Sequence, residues 1–283
     1  MNILRGEPLA RHTTFRIGGP AEIFAEPADL SEARELLRSA RGAGQPVLIL
    51  GAGSNLLVRD EGFPGLVLST RRLDWLAAGE GGLSAGCGVR IPVLMGYVVK
   101  YGLGGLEFLA GIPGTLGGAL VMNAGVVGRE IGSAVRTVNV LDESLAEREL
   151  AAGAAGFGYR SSSLAGYPLV AGVRLALTPR PPAAIRADIA GQVHRRRLTQ
   201  PYGIPSAGSV FKNPPGDYAG RLIEAAGCKG WREGDALVSD RHANFIVNTG
   251  AASARQVLGL IERVRAAVRS RFGIELELEI KTV

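Results

Sequence analysis

The chain has 283 residues, with 32 Lys and Arg against 26 Asp and Glu (net charge +6), 46% hydrophobic residues, 41 glycines and 2 cysteines. That is enough chain for more than one domain. The ordinary apolar fraction excludes disorder, and glycine, at about twice its usual ~7%, lacks the three-residue period of collagen. Cys87 and Cys228 stand too far apart for a zinc site or a disulfide framework, and the basic residues are scattered except for His194-Arg195-Arg196-Arg197, which reads as a solvated helix face rather than a nucleic-acid patch.

The first fifteen residues carry charges at Arg5, Glu7 and Arg11 and no apolar core, so no secretory signal is read there and a soluble, cytoplasmic protein is expected. Asp29 and Glu32 have capping-box spacing, Ala33, Leu36 and Leu37 form an apolar stripe, and Gly42 can close the helix. Residues 46–50 read as a buried strand that runs into the loop Gly51-Ala52-Gly53-Ser54-Asn55, and strands resume at 56–58, 66–68 and 84–88. This loop begins like a dinucleotide fingerprint, but Leu56 stands where the third glycine belongs and a strand follows instead of a helix. The Rossmann reading therefore fails, leaving either an anion-binding nest of backbone N–H groups or an ordinary turn.

A short helix fits 92–101, and the uncharged run 108–128 carries Pro113, Asn123 and six glycines, which suits a membrane span poorly. Within it, Gly111-Ile-Pro-Gly114-Thr115-Leu-Gly117-Gly118 has four glycines in eight residues and no following Gly-Lys-Ser/Thr, so phosphoryl transfer on a P-loop is excluded. Such a loop lets a ligand touch backbone, and Thr115 offers a hydroxyl at the start of a short helix. The two loops together suggest a diphosphate-containing cofactor; close packing of helix on sheet is the structural alternative.

Strands follow around Val135, Val138 and Val140 and across 169–177. Pro179-Arg-Pro-Pro182 is the best linker, then a helix carries Ile185, Ile189 and Val193. Asp217 can cap a helix bearing Leu222 and Ile223, and residues 253–272 place Val257, Leu260, Ile261, Val264 and Val268 on one helical face. Ile274, Leu276, Leu278 and Ile280 alternate with Glu275, Glu277 and Glu279, a half-buried final strand whose parity singles out no one glutamate. Tyr159-Arg160-Ser161 could clamp a carboxylate through its guanidinium, or Arg160 could be an ordinary surface residue. Ser209, Lys212 and Asn213 bring a hydroxyl, a cation and an amide into one segment. Without a Gly-x-Ser-x-Gly elbow or a local histidine among His12, His194 and His242, Ser209 suits a proton or hydrogen-bond donor better than a nucleophile.

In order along the chain, Thr13-Thr-Phe-Arg-Ile-Gly-Gly-Pro-Ala21, Leu50-Gly-Ala-Gly-Ser-Asn-Leu-Leu57, Gly111 to Gly118 with Asn123-Ala-Gly125, Tyr159-Arg160, residues 205–214, Lys229-Gly230, His242-Ala-Asn-Phe245 and Leu276-Glu-Leu-Glu-Ile280 resemble the flavin-dependent UDP-N-acetylenolpyruvoylglucosamine reductases of bacterial cell-wall synthesis. The resemblance spans nearly the whole chain and is closest to the subgroup lacking an extra tyrosine-bearing loop. It implies an α+β protein with a two-subdomain FAD-binding domain of the vanillyl-alcohol-oxidase-like kind, divided as 1–65 and 66–180. A smaller C-terminal substrate domain would cover 181–283, with strand 274–283 contributing to the active site. It implies non-covalent FAD held by Gly51, Ala52, Gly53, Ser54, Asn55, Gly114, Thr115, Gly117, Gly118, Asn123 and Gly125, no metal, and NADPH as hydride donor. The substrate would be UDP-N-acetylglucosamine enolpyruvate, reduced to UDP-N-acetylmuramate, with neither nucleic acid nor membrane insertion involved. By the same resemblance Arg160 holds the substrate carboxylate, Ser209 supplies the proton and Glu279 helps stabilise the enolate-like intermediate, while Tyr159, Lys212, Asn213, Lys229 and His242 hold the sugar nucleotide. Diphosphates and a carboxylate also account for the positive balance. A related FAD-dependent oxidase or dehydrogenase of a sugar or alcohol is the alternative.

Overall fold

In a computed structural model the described residues are 2–79, 81–126 and 128–283. The chain folds into two compact units. One comprises Met1–Leu4, Ile23–Ala52 and Gly65–Arg195, the other Arg5–Glu22, Gly53–Pro64 and Arg196–Val283.

The first unit contains a five-stranded antiparallel sheet in the order Glu147–Ala151, Val135–Leu141, Leu169–Ala176, Gly82–Gly86, Leu76–Gly79. Alternation along these strands turns Val138, Val140, Val173 and Leu175 inward against Leu94 and Val98 of helix α2 (Ile91–Tyr101) and Leu116 and Leu120 of helix α3 (Leu116–Val121). A separate core gathers Ala33, Leu36 and Leu37 of helix α1 (Leu30–Gly42) with Leu66 and Leu68. Leu66 and Leu68 lie on Phe63–Ser69, which runs parallel to Val47–Leu50 in a sheet ordered Asn2–Pro8, Pro20–Glu26, Phe63–Ser69, Val47–Leu50. The capping spacing read from sequence is realised at α1, where Asp29 Oδ1 accepts from Glu32 N at 2.9 Å; Glu32 Oε2 reaches one residue further back, to Ala28 N at 2.8 Å.

In the second unit Ser206–Ser209, Phe245–Asn248, Ala236–Val238 and Arg232–Glu233 form an antiparallel sheet in that order. Its core takes Val257, Leu260, Ile261, Val264 and Val268, the predicted stripe of the long helix Ala254–Phe272, together with Phe15, Ile17 and Leu57. These three early side chains are why 5–22 and 53–64 belong with the C-terminal unit. These compact units are divided otherwise than the domains 1–65, 66–180 and 181–283 that the resemblance implies. The chain enters the second unit at 195/196, within helix α4 (Pro182–Thr199), rather than at the proline-rich 179–182, where Arg180 is held by Glu107 at 2.6 Å and Asp188 at 3.0 Å.

Two local expectations are corrected. Asp217 does not cap helix α5 (Ala219–Ala225). It lies one residue outside Tyr218, pairs with Arg221 and accepts from Tyr218 N, which holds its carboxyl down at about 2; Asn213 Oδ1 takes the helix N–H of Ala219 instead, at 3.0 Å. Residues 274–280 keep the predicted alternation, Leu276 and Ile280 inside with Glu275 and Glu277 outside, but only Lys281–Thr282 forms a ladder, parallel to Leu56–Leu57. The extended run is held instead by an isolated bridge from Leu278 to Phe211.

The long helix, α6, starts with a Ser253–Gln256 capping box and ends at Gly273, whose φ is +69°. Its first turn has a second, long-range cap, since Asp60 Oδ1 accepts from Ala254 N at 2.7 Å and Oδ2 from Arg255 N at 3.0 Å. A carboxylate on two orphan N–H groups at the positive helix end stabilises by about 1 kcal/mol. Asp60→Ala should therefore lower the urea midpoint of the second unit's transition while Asp60→Asn loses less, as followed by far-UV circular dichroism.

Candidate functional site

Among the first unit's residues, Thr115 is the focus. It is 4% exposed and its Oγ1 has no hydrogen-bond partner, although buried hydroxyls ordinarily find one. A Cβ on Gly51 would overlap that oxygen, so glycine there keeps the space beside the hydroxyl open. Along the same loop Leu116 N and Gly117 N donate to Val89 O and Cys87 O, both at 2.8 Å, and Gly114 O accepts from Ile91 N at 3.1 Å. The backbone therefore fixes the loop's own shape first, while Gly118 stays exposed and Gly114 half-buried. An unpartnered hydroxyl beside a glycine that admits no side chain can donate to an anionic oxygen, so these residues are compatible with the diphosphate of a dinucleotide cofactor.

Asn123 and Gly125 follow α3. The Asn123 amide is committed to protein partners, donating to Glu130 Oε2 at 2.6 Å and Gly158 O at 2.9 Å and accepting from Gly132 N at 3.0 Å; Gly125 pairs with Glu130. Gly158 and Ser161 close a tight turn that carries exposed Tyr159 and half-buried Arg160. The Arg160 guanidinium lies 5.2 Å from the Tyr159 ring centre and donates to Gly125 O at 3.4 Å.

The second unit gathers most of the remaining candidates. Gly53 has φ +60° and is buried against the His12 carbonyl; its own carbonyl accepts from Thr14 N at 3.2 Å, and Thr14 Oγ1 donates to Ser206 O at 2.7 Å. Asn55 Nδ2 donates to Glu279 O at 3.0 Å and Asn55 O accepts from Lys281 N at 2.9 Å. Glu279 N donates to Val210 O at 2.8 Å, so the backbone brings Glu279 beside Ser209, and of the three alternating glutamates it alone is half-buried. Ser209 itself lies at the end of its strand, paired with Phe245.

Lys212 reaches Glu277 at 3.2 Å and Lys229 reaches Glu224 at 2.7 Å, so these cations sit beside carboxylates at half-exposed positions. Asn213 serves the α5 N-terminus as described. His242 packs edge-on to Phe245 at 4.9 Å and accepts from Asn244 N at 3.3 Å, which leaves its Nε2 as the N–H donor. Asn244, 4% exposed, grips both Phe211 N at 2.9 Å and Phe211 O at 2.8 Å; its partner, like those of Thr14, lies tens to hundreds of residues away, where no local sequence pattern points to it.

Residues 200–283 match a family described as UDP-N-acetylenolpyruvoylglucosamine reductase, C-terminal domain, and residues 21–146 match one described as FAD binding domain. The chain is 51% identical to UDP-N-acetylenolpyruvoylglucosamine reductase 2 of Symbiobacterium thermophilum, over 99% of this chain and 91% of that protein. It is 50% identical to the reductase of Moorella thermoacetica, over 99% and 93%. The crystal structure of the Thermus caldophilus reductase superposes with a TM-score of 0.84 at 39% identity, covering 99% of this chain and 98% of that one. Cholesterol oxidase from B. sterolicum, 16% identical with a TM-score of 0.52 over 63% of this chain and 37% of its own, shares the fold alone.

Two outcomes follow for these residues. Thr115→Val should leave apo-protein stability unchanged or higher, because no bond is lost, while flavin affinity falls by about 10-fold or more, the worth of a hydrogen bond to a charged oxygen; thermal melts with and without FAD read both. Burial pushes the His242 imidazole below its ordinary value and Lys229 adds to that, with the His242 backbone and Glu224 opposing. An NMR titration should place its midpoint below 6.5, and Lys229→Ala should raise it.

Proposed function

The chain belongs to the UDP-N-acetylenolpyruvoylglucosamine reductase family, and we propose on that footing that it reduces UDP-N-acetylglucosamine enolpyruvate to UDP-N-acetylmuramate at the expense of NADPH. Its fold is the α+β arrangement of a two-subdomain FAD-binding domain with a smaller substrate domain. The alternative of a sugar or alcohol oxidase draws no support beyond a shared fold at 16% identity.

FAD, when bound, supplies the hydride that NADPH has donated to it. Thr115 and the backbone around Gly51 and Gly114 hold the diphosphate. Arg160 takes the enolpyruvyl carboxylate, and its charge draws electron density toward the carbon that becomes carbanionic as hydride adds to the terminal methylene. Ser209 Oγ gives a proton to that carbon, and Glu279 stabilises the enolate-like charge beside it. Tyr159, Lys212, Asn213, Lys229 and His242 hold the sugar nucleotide. The single observation that supports pairing Glu279 with Ser209 is the 2.8 Å bond from Glu279 N to Val210 O, which runs the backbone of one beside that of the other.

A cytoplasmic setting is part of this reading. Both cysteines are buried and unpaired, and burial pushes the Cys87 thiol up to about 12, so it is inert where thiols stay reduced. Among the described residues no helix is long and apolar enough to cross a membrane.

The purified protein should be yellow, anaerobic NADPH should bleach it, and the enolpyruvyl sugar nucleotide should restore the colour. Ser209→Ala should leave the bleaching step nearly intact and slow recolouring by about 10²-fold or more, the scale of a lost proton donor. Equal slowing of both steps in stopped flow would make Ser209 a structural or flavin-site residue, and a protein indifferent to NADPH would overturn the whole reading.

A further inference from the structure

Asn123 and Arg160 hold φ angles of +43° and +53°, in the left-handed region. For a residue with a Cβ such a conformation costs about 1–3 kcal/mol and persists only where neighbours over-determine it. One set of hydrogen bonds does this for both. Asn123 is 1% exposed; with Gly132 N donating to its Oδ1, the amide orientation is fixed and both N–H groups point at Gly158 O and Glu130 Oε2. Gly158 O is also the acceptor of Ser161 N at 3.2 Å, while Gly158 N donates to Ser161 O at 3.0 Å, so Asn123 grips the closing pair of the turn that carries Arg160. Two more bonds cross between the same segments, Ser162 Oγ to Val121 O at 2.9 Å and Arg160 to Gly125 O. Asn123 is in turn hooked to α3, its N–H donating to Leu120 O at 3.1 Å and that of Ala124 to Ala119 O at 2.8 Å. An unbroken run of bonded backbone therefore leads from Thr115, through α3, to the Arg160 turn.

We propose that Asn123, braced by Glu130, is a positioning residue for Arg160, holding the turn from which the guanidinium meets the substrate carboxylate. The proposal rests on the reading of Arg160 as the carboxylate clamp. Its chemistry explains the residue types. Gly158 O needs a donor and Gly132 N an acceptor, which one buried amide supplies together, and the second amide N–H needs an acceptor, which Glu130 provides without its charge being required.

The test compares binding of UDP-N-acetylmuramate, which carries the carboxylate, with UDP-N-acetylglucosamine, which lacks it, by calorimetry on the flavin-loaded enzyme. Asn123→Ala leaves a void at a buried site and can fail to fold, so Glu130→Ala and Glu130→Gln carry the test, with Arg160→Met and the double variant Glu130→Ala/Arg160→Met beside them. Glu130→Ala should lose on the order of 10-fold of the preference for the carboxylate ligand while flavin reduction by NADPH stays within about twofold. Glu130→Gln should keep the parental preference, and the double variant should fall no lower than Arg160→Met. An unchanged preference in Glu130→Ala, an equal loss of both ligands, or a further loss on top of Arg160→Met would overturn the positioning role. If Arg160→Met itself keeps the preference, the clamp reading falls and takes this proposal with it; a loss there with none in Glu130→Ala overturns the positioning role alone.

Discussion

Two hydrogen bonds on Asn55 tie the C-terminal run into the second unit. Its side chain donates to Glu279 O and its carbonyl accepts from Lys281 N, and Leu56–Leu57 then runs parallel to Lys281–Thr282. The extended 274–280 run forms no continuous ladder and registers instead on residues 210–212. There Glu279 N meets Val210 O, Lys212 N meets Glu277 O at 2.8 Å and Val210 N meets Asn244 O at 2.8 Å, so the backbone positions of Ser209 and Glu279 are set by main-chain bonds.

The first unit solves a different problem. Its candidate groups are one hydroxyl without a partner and one arginine in a costly backbone conformation. Both are conditions a protein tolerates only when the surroundings are rigid, and here rigidity comes from the antiparallel sheet and the packed interior around α2 and α3. A buried hydroxyl left unpartnered, as at Thr115, costs stability that a bound acceptor would return.

What could be read from the sequence was local. The cap spacing at Asp29 and the apolar stripe of the long helix depend on residues three or four apart, and the structure has both. Alternation in 274–280 was legible as burial but not as a ladder, because its backbone partners sit near 210, and Asp217 offered cap chemistry one residue too early. The division of the chain was hidden for the same reason: Phe15 and Leu57 carry no sign that they are to be buried with Leu260. Asn123 was legible as a special residue but not as a brace, since its partners Glu130, Gly132 and Gly158 form a pattern only after folding.

The parallel join of Leu56–Leu57 to Lys281–Thr282 also orders events on the ribosome. A parallel pair has no hairpin to close it, and Phe15, Ile17 and Leu57 emerge roughly 200 residues before the helix that covers them, a wait of about 10–40 s at ordinary translation rates. The first unit's sheet, by contrast, is complete once residue 176 has been made. During synthesis the nascent chain therefore carries a completed sheet together with earlier apolar segments that still lack their core, the state in which a chaperone would find it.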